Sequence, residues 1–559
     1  MSPQKIVLFL ILCGSLYSCT DKHPAKEKQI VKVPEEMDKH VAENLGPVLQ
    51  YAADNSGMIN DSIGLHVVPI VRAFYRENEF HNIWSSNEKW LPLADSLYLI
   101  IQHAELYGLF PSDYHYNSLQ QIHHQLASDT MAKMDANLWT KADLMLTDGF
   151  MEIAKHVKEG RLLPDTISLS SDTTLTDSFF IKNLNTAIKN NNITSILNAL
   201  EPKHHGYIEL KNSIGWFLDS MAKKTYTYVP YPSRDSVALM RILKKRLLEG
   251  SWIDSFSKRP DSAVIAEGLK KLQKSKQLTA DGKIGVATAR YLNTSDVERF
   301  KRIAITLDRY KQLPAVLPEK YIWVNLPGYY LQVWDDDTIA LQSKVIVGKP
   351  TTRTPTLNSE ITDMVTYPQW TIPNSIIKKD ILPALKKNPG YLARKGFSLV
   401  SDKGETIDPF SVNWAKYSKG IPYKIVQGSG DDNALGVLKF NFNNPYSVYL
   451  HDTNQRYLFK NAARALSHGC VRVQEWEKLA FYIARNDSLN AKANTTLKYT
   501  ADSIKNWLSA KVRKRILVQK KIPLFIRYFT CEGKDGKVIF YDDIYGEDKS
   551  LRDKYFANK

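Results

Sequence analysis

The sequence predicts a multidomain α+β protein, and three observations carry that reading. At 559 residues the chain is longer than a single hydrophobic core usually organises. From about Val41 to Tyr228 apolar residues recur at intervals of three and four, the helical period. After Arg309 the period changes to two and stays there through several short segments, the signature of half-buried strands. Helical domains are therefore expected first and a strand-rich domain after them.

The N-terminal stretch MSPQKIVLFLILCGSLYSC has one basic residue, Lys5, then an apolar core from Ile6 to about Leu12, then small residues before Cys19. It resembles a bacterial lipoprotein signal peptide over residues 1–18. The resemblance implies cleavage before Cys19 and lipidation of that cysteine, hence a periplasmic lipoprotein anchored to a bacterial membrane. Residues 19–40 are charged, contain proline and lack periodicity, so they read as a solvated tether, spanning about 25 Å as a coil. Elsewhere no apolar run reaches the eighteen or so residues a spanning helix needs.

Within the helical region VVPIVRAFYREN and WLPLADSLYLIIQHAELYGLF show the packing period, with Gly108 and Pro111 as stop signals. The histidines here, His103, His115, His123 and His124, read as surface or satisfied core residues. Residues 236–293 form a compact unit of two amphipathic helices around the turn Asp281-Gly282. Leu272-Gln273, that turn, and the step from Gly285 to Thr288 resemble a small helical peptidoglycan-binding domain; a plain helical hairpin is the alternative. In YIWVNLPGYYLQVWDDDTIALQSKVIVG, Ile322, Val324 and Leu326 alternate against Tyr321, Trp323 and Asn325, with Asp335 to Asp337 as a hairpin turn.

The chemistry concentrates in two stretches, YSVYLHDT (446–453) and SHGCVRV (467–473). Alternation sends His451 out with Tyr449, away from Val448 and Leu450. Cys470 follows nineteen residues later, a distance suited to a strand, a loop and a return. A thiol is mostly protonated at neutral pH, and an imidazole beside it can take the proton to give a thiolate-imidazolium pair. Gly469 leaves room for an incoming carbonyl, and backbone N–H groups around Gly469 and Cys470 could face its oxyanion. Three other readings of the cysteine are a His2Cys zinc site from His451, His468 and Cys470, a buried inert cysteine, and a disulfide between Cys470 and Cys531, the pair left once Cys13 and Cys19 are set aside.

HDT and SHGCVRV resemble the L,D-transpeptidase signature. The likeness extends to FYRENEFHNIW, KVIVGKPTTRTPTLNSEITDMVTYPQWTIPNSI, NALGVLKFNFNNPYSVYLHDT and GKVIFYDDIYG, the pattern of the long periplasmic form. It implies a helical scaffold domain over 41–230, a β-sandwich-like catalytic domain over 318–500 with a capping lobe inserted at about 376–418, and a C-terminal helix and strand over 501–559 packing on them. Carried over by position, Cys470 is the nucleophile and His451 the base. The Asp452 carbonyl orients His451, and His468 and Gly469 line the oxyanion hole with Cys470. Ser467, Tyr449 and Arg472 are candidate substrate contacts. The activity implied is acyl transfer between peptidoglycan stem peptides through a cysteine thioester, with terminal D-Ala released and 3→3 cross-links formed, and with carbapenems as inhibitors. No cofactor or metal is called for. The alternatives are an L,D-carboxypeptidase using the same residues and a non-catalytic peptidoglycan-binding lipoprotein. The net charge of +16 suits an anionic wall or membrane surface, and export argues against nucleic acid.

Overall fold

The computed structural model describes residues 28–164, 175–221, 226–254, 260–276, 278–418, 420–491, 499–557 and 559; the signal and Cys19 lie outside them. Two compact units result, one from most of the chain up to Leu200 and one from Glu201–Lys559 with Glu105–Leu109 and Lys158–Thr173.

The first unit is helical. Its central helix, Ala136–Lys158, is buried on nearly every face, so its polar side chains need partners. Asp148 accepts from the backbone N–H groups of His66 (3.0 Å) and Val67 (2.9 Å), capping the helix Val68–Glu77 from a distance, and from His115 Nε2 (2.7 Å). His115 is thus hydrogen-bonded inside the fold. Order also begins earlier than a solvated tether implies: Val31 is buried and the first α-helix starts at Met37. The Gln29 N–H bonds Asp135 (2.9 Å), a long-range partner that charge and proline content do not reveal.

In the second unit the helices Ser236–Glu249, Asp261–Ser275 and Val286–Asn293 enclose Leu243, Leu247, Ile265, Leu269, Leu272 and Leu292. Gln273 ties the turn to the helices. Its amide donates to Asp281 (2.9 Å), the Lys283 carbonyl (2.8 Å) and Thr288 (3.2 Å), and accepts from the Gly282 N–H (2.9 Å). Gly282 has φ +72°, and a Cβ there would stand 2.9 Å from the Ala266 carbonyl oxygen.

The strands are β1 (Lys320–Asn325), β2 (Tyr330–Asp335), β3 (Thr338–Gly348), β4 (Leu357–Thr366), β5 (Trp370–Thr371), β6 (Phe397–Val400), β7 (Thr406–Ile407), β8 (Lys424–Gln427), β9 (Leu438–Phe442), β10 (Leu450–His451), β11 (Ala465–Ser467), β12 (Val471–Val473), β13 (Lys514–Leu517), β14 (Pro523–Arg527), β15 (Cys531–Lys534) and β16 (Lys537–Phe540). The main sheet runs β9-β10-β12-β3-β2-β1-β14-β4-β13, and β4 also pairs β9, so the sheet closes on itself. Its inner face is apolar: Ile322, Val324, Leu331, Val333, Val345, Phe440, Leu450 and Val471 pack with Leu479 and Ile483 of the helix Trp476–Leu489. Each such side chain contributes about 1.5–3 kcal/mol by leaving water. The alternation expected for β1 is present, with Ile322 and Val324 inside.

The segment 501–559, expected to pack on the other domains, supplies strands to the sheet itself: β14 lies between β1 and β4, parallel to β1 with Leu524 opposite Ile322 and Ile526 opposite Val324. Without β14 the backbone edges of both neighbours would lack partners. The inserted lobe is wider than 376–418 and holds a sheet, β5-β8-β6-β7, with its own core of Ile372, Ile381, Leu385, Leu399, Trp414 and Ile425. Strands of two to four residues are too short to display a period of two.

Candidate active site

β9, β10 and β12 lie side by side, and their register decides which side chains share a surface. Lys439 is opposite His451, and His451 is opposite Arg472. Register partners point to the same side, as do residues two apart. Lys439, Tyr449, His451, Cys470 and Arg472 therefore converge on the face away from the core, while Phe440, Leu450 and Val471 fill the inside. β10 and β12 run parallel, a pairing that needs a crossover. Residues 452–470 are that crossover, and they carry the nucleophile loop.

The loop is pinned from several directions. Ser467 Oγ accepts from the Gly469 N–H (3.0 Å) and donates to the Cys470 carbonyl (2.6 Å). The Ser467 carbonyl accepts from Lys349 N–H (3.0 Å) and Thr352 Oγ (3.1 Å). Buried Thr354 donates its hydroxyl to the Gly469 carbonyl (2.8 Å) while accepting from the Gly348 N–H (2.9 Å), and Tyr545 OH closes the ring by donating to the Gly348 carbonyl (2.8 Å). Ser467 is thus a scaffold of the loop. Gly469 adopts φ +124°, a conformation L side chains rarely take. Its N–H is taken up by Ser467 Oγ rather than free for an oxyanion.

Cys470 is half-buried, with Sγ 4.0 Å from the Ser447 carbonyl and the Tyr449 phenol beside it. Burial raises its thiol pKa, and hydrogen bonding from Tyr449 with the charges of Lys439 and Arg472 opposes that rise. His451 is buried, and its imidazole is pushed down to about 3 by that burial and by Arg472 and Lys439. The carbonyls of Asp452 and Leu435 face the ring and favour its protonated form, although Nδ1 has no partner at hydrogen-bonding distance among the described residues. Both shifts, the thiol raised and the imidazole lowered, favour the neutral forms over a thiolate-imidazolium pair. The Asp452 carboxylate has a separate task, holding Arg456 and the Val437 N–H (3.1 Å) so that the HDT turn is anchored.

Two cations go unmatched. Arg472 reaches Thr453 (3.3 Å) and Gln455 (3.1 Å), and its Nε is buried without an acceptor among the described residues. Lys439 lies with Nζ 3.8 Å from the centre of the Tyr449 ring and pairs with no carboxylate among the described residues. Both stand where a substrate carboxylate or a thiolate would be welcome. Lys439 was missed in the sequence because a lysine in LKFNF reads as an ordinary solvent-facing strand residue.

The capping lobe meets this face. Trp370, Asn374, Ile377 and Tyr423 from the lobe line an open cavity of about 440 Å³ with Lys439, Ser447 and Tyr449. His468 turns outward from Cys470 and meets Asp380 of the lobe through Nε2 (2.8 Å). Among the described residues His451, His468 and Cys470 do not come together as a metal-ligating group. Cys470 and Cys531 are both free thiols, against the disulfide reading.

Residues 319–490 match the family described as the L,D-transpeptidase catalytic domain, and residues 69–214 match a scaffold domain. A Haemophilus influenzae protein described as an L,D-transpeptidase is 34% identical over 251 residues, covering 45% of this chain and 49% of its own. The chain thus spans about half the length of that curated relative. An L,D-transpeptidase from Mycobacterium smegmatis is similar at 10% identity over 37% of this chain and 58% of its own, with a TM-score of 0.18. An Enterococcus faecium L,D-transpeptidase, solved as a cysteine-to-serine mutant, is similar at 10% identity over 50% of this chain and 88% of its own, TM-score 0.17. Both scores are below the level at which two chains share an overall fold.

Proposed function

We propose that this chain, whose residues 319–490 match the L,D-transpeptidase catalytic domain, cross-links peptidoglycan by acyl transfer through Cys470. The observation that carries the reading is the shared face: a half-exposed thiol at the start of β12 and a buried imidazole on the parallel neighbour β10, with a cavity lined by the lobe on the same face. As Cys470 Sγ attacks the carbonyl of the third residue of a tetrapeptide stem, His451 takes the thiol proton. The Cys470 N–H meets the oxyanion, and Lys439 and Arg472 favour the negative charge developing on sulfur and oxygen. The intermediate collapses, His451 protonates the amine of the departing D-Ala, and a thioester remains. The side-chain amine of a second stem then attacks it, His451 removes a proton from that nitrogen, and the thiol is released. The product is a 3→3 amide.

Water in place of the amine would make the same site an L,D-carboxypeptidase. The lobe wall beside the cavity supports transfer, because each side of the cleft that it covers is closed to water and leaves the bound amine as the better placed nucleophile. The hydrogen-bonded turn around Gln273 supports wall binding by residues 236–293, and Cys19 is the proposed lipid anchor holding the protein in the periplasm. Incubation of purified protein with tetrapeptide muropeptides, followed by mass spectrometry, tests the reading. Cross-linked dimers with loss of D-Ala are expected, and they should be absent with Cys470→Ala. Tripeptides alone would establish the hydrolase instead.

A further inference from the structure

The face that carries Cys470 does not stop at β12. Register continues it across the sheet: Arg472 is opposite Ile346, the Gln474 N–H bonds the Lys344 carbonyl (3.0 Å), Lys344 is opposite Tyr330, and Gln342 is opposite Gln332. Here the surface sinks into a groove of about 850 Å³, roughly twice the cavity beside the cysteine. Along β2 the floor alternates ring, amide, ring: Tyr330, Gln332, Trp334. Trp334 is half-buried and lies parallel to Tyr321 of β1, with centroids 6.0 Å apart at 11°. The amides of Gln332, Gln342 and Gln474 have no protein partner among the described residues.

We propose that this groove binds a glycan strand of N-acetylated amino sugars, the polymer that carries the stem peptides; the identity of the occupant rests on the function proposed above. Rings present flat apolar faces to the C–H faces of pyranoses. Glutamine amides supply a donor and an acceptor each, matched to an acetamido group or a hydroxyl. Other polymers fit less well. A peptide binding by strand addition needs a free sheet edge, and β2 is paired on both sides, by β1 and β3. A nucleic acid needs a cationic track beside its stacking rings, whereas the groove holds four acidic residues and three basic ones. Strands lie about 4.8 Å apart, so β2 is two steps, about 10 Å, from β12. A strand seated in the groove would present its stem toward Cys470.

The test uses full-length protein with two probes, a β-1,4-linked N-acetylglucosamine hexamer and glycan strands freed of stems by an amidase. Binding is read by oxidative footprinting of Tyr330 and Trp334 and by titration. Wild type should show protection of both rings by both probes. Gln332→Ala with Gln342→Ala, a change of surface amides, should weaken binding at least tenfold, and Trp334→Ala should do the same. The rate of Cys470 acylation by a carbapenem should be unaltered in all of them. Absence of protection in wild type, or wild-type affinity in the amide double variant, overturns the proposal. Isolated stem peptides would still be cross-linked in either case, so failure here is distinct from failure of the catalytic reading.

Discussion

His451 and Arg472 are register partners on the parallel strands β10 and β12, and the guanidinium is among the causes that keep the buried imidazole neutral. The same charge opposes the rise of the Cys470 pKa. One cation thus preserves the base and eases ionisation of the nucleophile. Arg472→Met should slow carbapenem acylation at neutral pH by about tenfold or more, since each pKa unit is a factor of ten in thiolate. Its acid limb should move to higher pH. Arg472→Lys should keep most of the rate, and a full pH–rate profile of the three proteins checks both statements. Equal profiles would remove the electrostatic role.

The neutral imidazole also sets a dependence of stability on pH. His451 titrates near 6.5 when unfolded and is pushed down to about 3 when folded. Between those values the unfolded chain binds the extra proton. Its contribution is complete above about pH 6.5 and is lost as pH falls toward 3, with a slope of up to about 1.4 kcal/mol per pH unit. His204 is lowered by burial with the same sign, and His66 is raised with the opposite one. The comparison is therefore between wild type and His451→Gln in denaturant titrations from pH 7 to 5, where the variant should show the shallower fall.

How much of this was readable beforehand depends on whether the signal was local. The alternation in YIWVN and YSVYLH places Ile322 and Leu450 on the core face and His451 on the opposite one, where it is nevertheless buried, while the φ of +124° at Gly469 was not legible from a glycine read only as leaving room for a carbonyl. β14 left no such trace as a sheet member, because its partners β1 and β4 are more than 150 residues away. Thr354 and Tyr545 pin the nucleophile loop from segments whose residues read as ordinary turn and strand. The Asp380 contact to His468 was likewise invisible, since a lone acid in a lobe helix gives no indication of its partner.

Lys439 is expected to hold a carboxylate of the donor stem. It lines the cavity, is half-buried and lacks a carboxylate partner among the described residues. Hydrogen bonds to charged groups contribute about 1.5–3 kcal/mol, so Lys439→Met should raise KM for a tetrapeptide donor by about tenfold to a hundredfold. The change in kcat should be smaller, and Lys439→Arg should restore much of the binding. An unchanged KM with a reduced kcat would assign Lys439 to the thiolate alone.

Gly469→Ala probes the loop itself. A Cβ would meet nothing closer than the Arg353 carbonyl oxygen at 3.5 Å, so the obstacle is the φ of +124° rather than space. Residues held in such conformations cost about 1–3 kcal/mol. Relaxing that strain would turn the Cys470 N–H and Sγ from their present directions. Acylation should therefore slow by an order of magnitude or more while circular dichroism stays that of the wild type. Thr354→Val, which removes the hydroxyl bonding the Gly469 carbonyl, should act in the same direction.

Finally, the two described thiols should differ sharply in reactivity. Cys531 is fully buried, donates to Thr306 Oγ (3.2 Å), and has its pKa pushed up to about 12. Cys470 is half-exposed, flanked by two unmatched cations and backed by a neutral base, so it alone offers a nucleophile to a strained β-lactam carbonyl. Mature or soluble full-length protein should take up one carbapenem per chain by intact-mass measurement. Cys531→Ser should retain that adduct and Cys470→Ala should lose it. His451→Ala should form it about a hundredfold more slowly at neutral pH, the scale for losing a positioned base, and should recover as pH rises toward the thiol pKa, where hydroxide replaces the missing imidazole. An adduct that persists in Cys470→Ala would place the reactive group elsewhere and remove the basis for the acyl-transfer assignment.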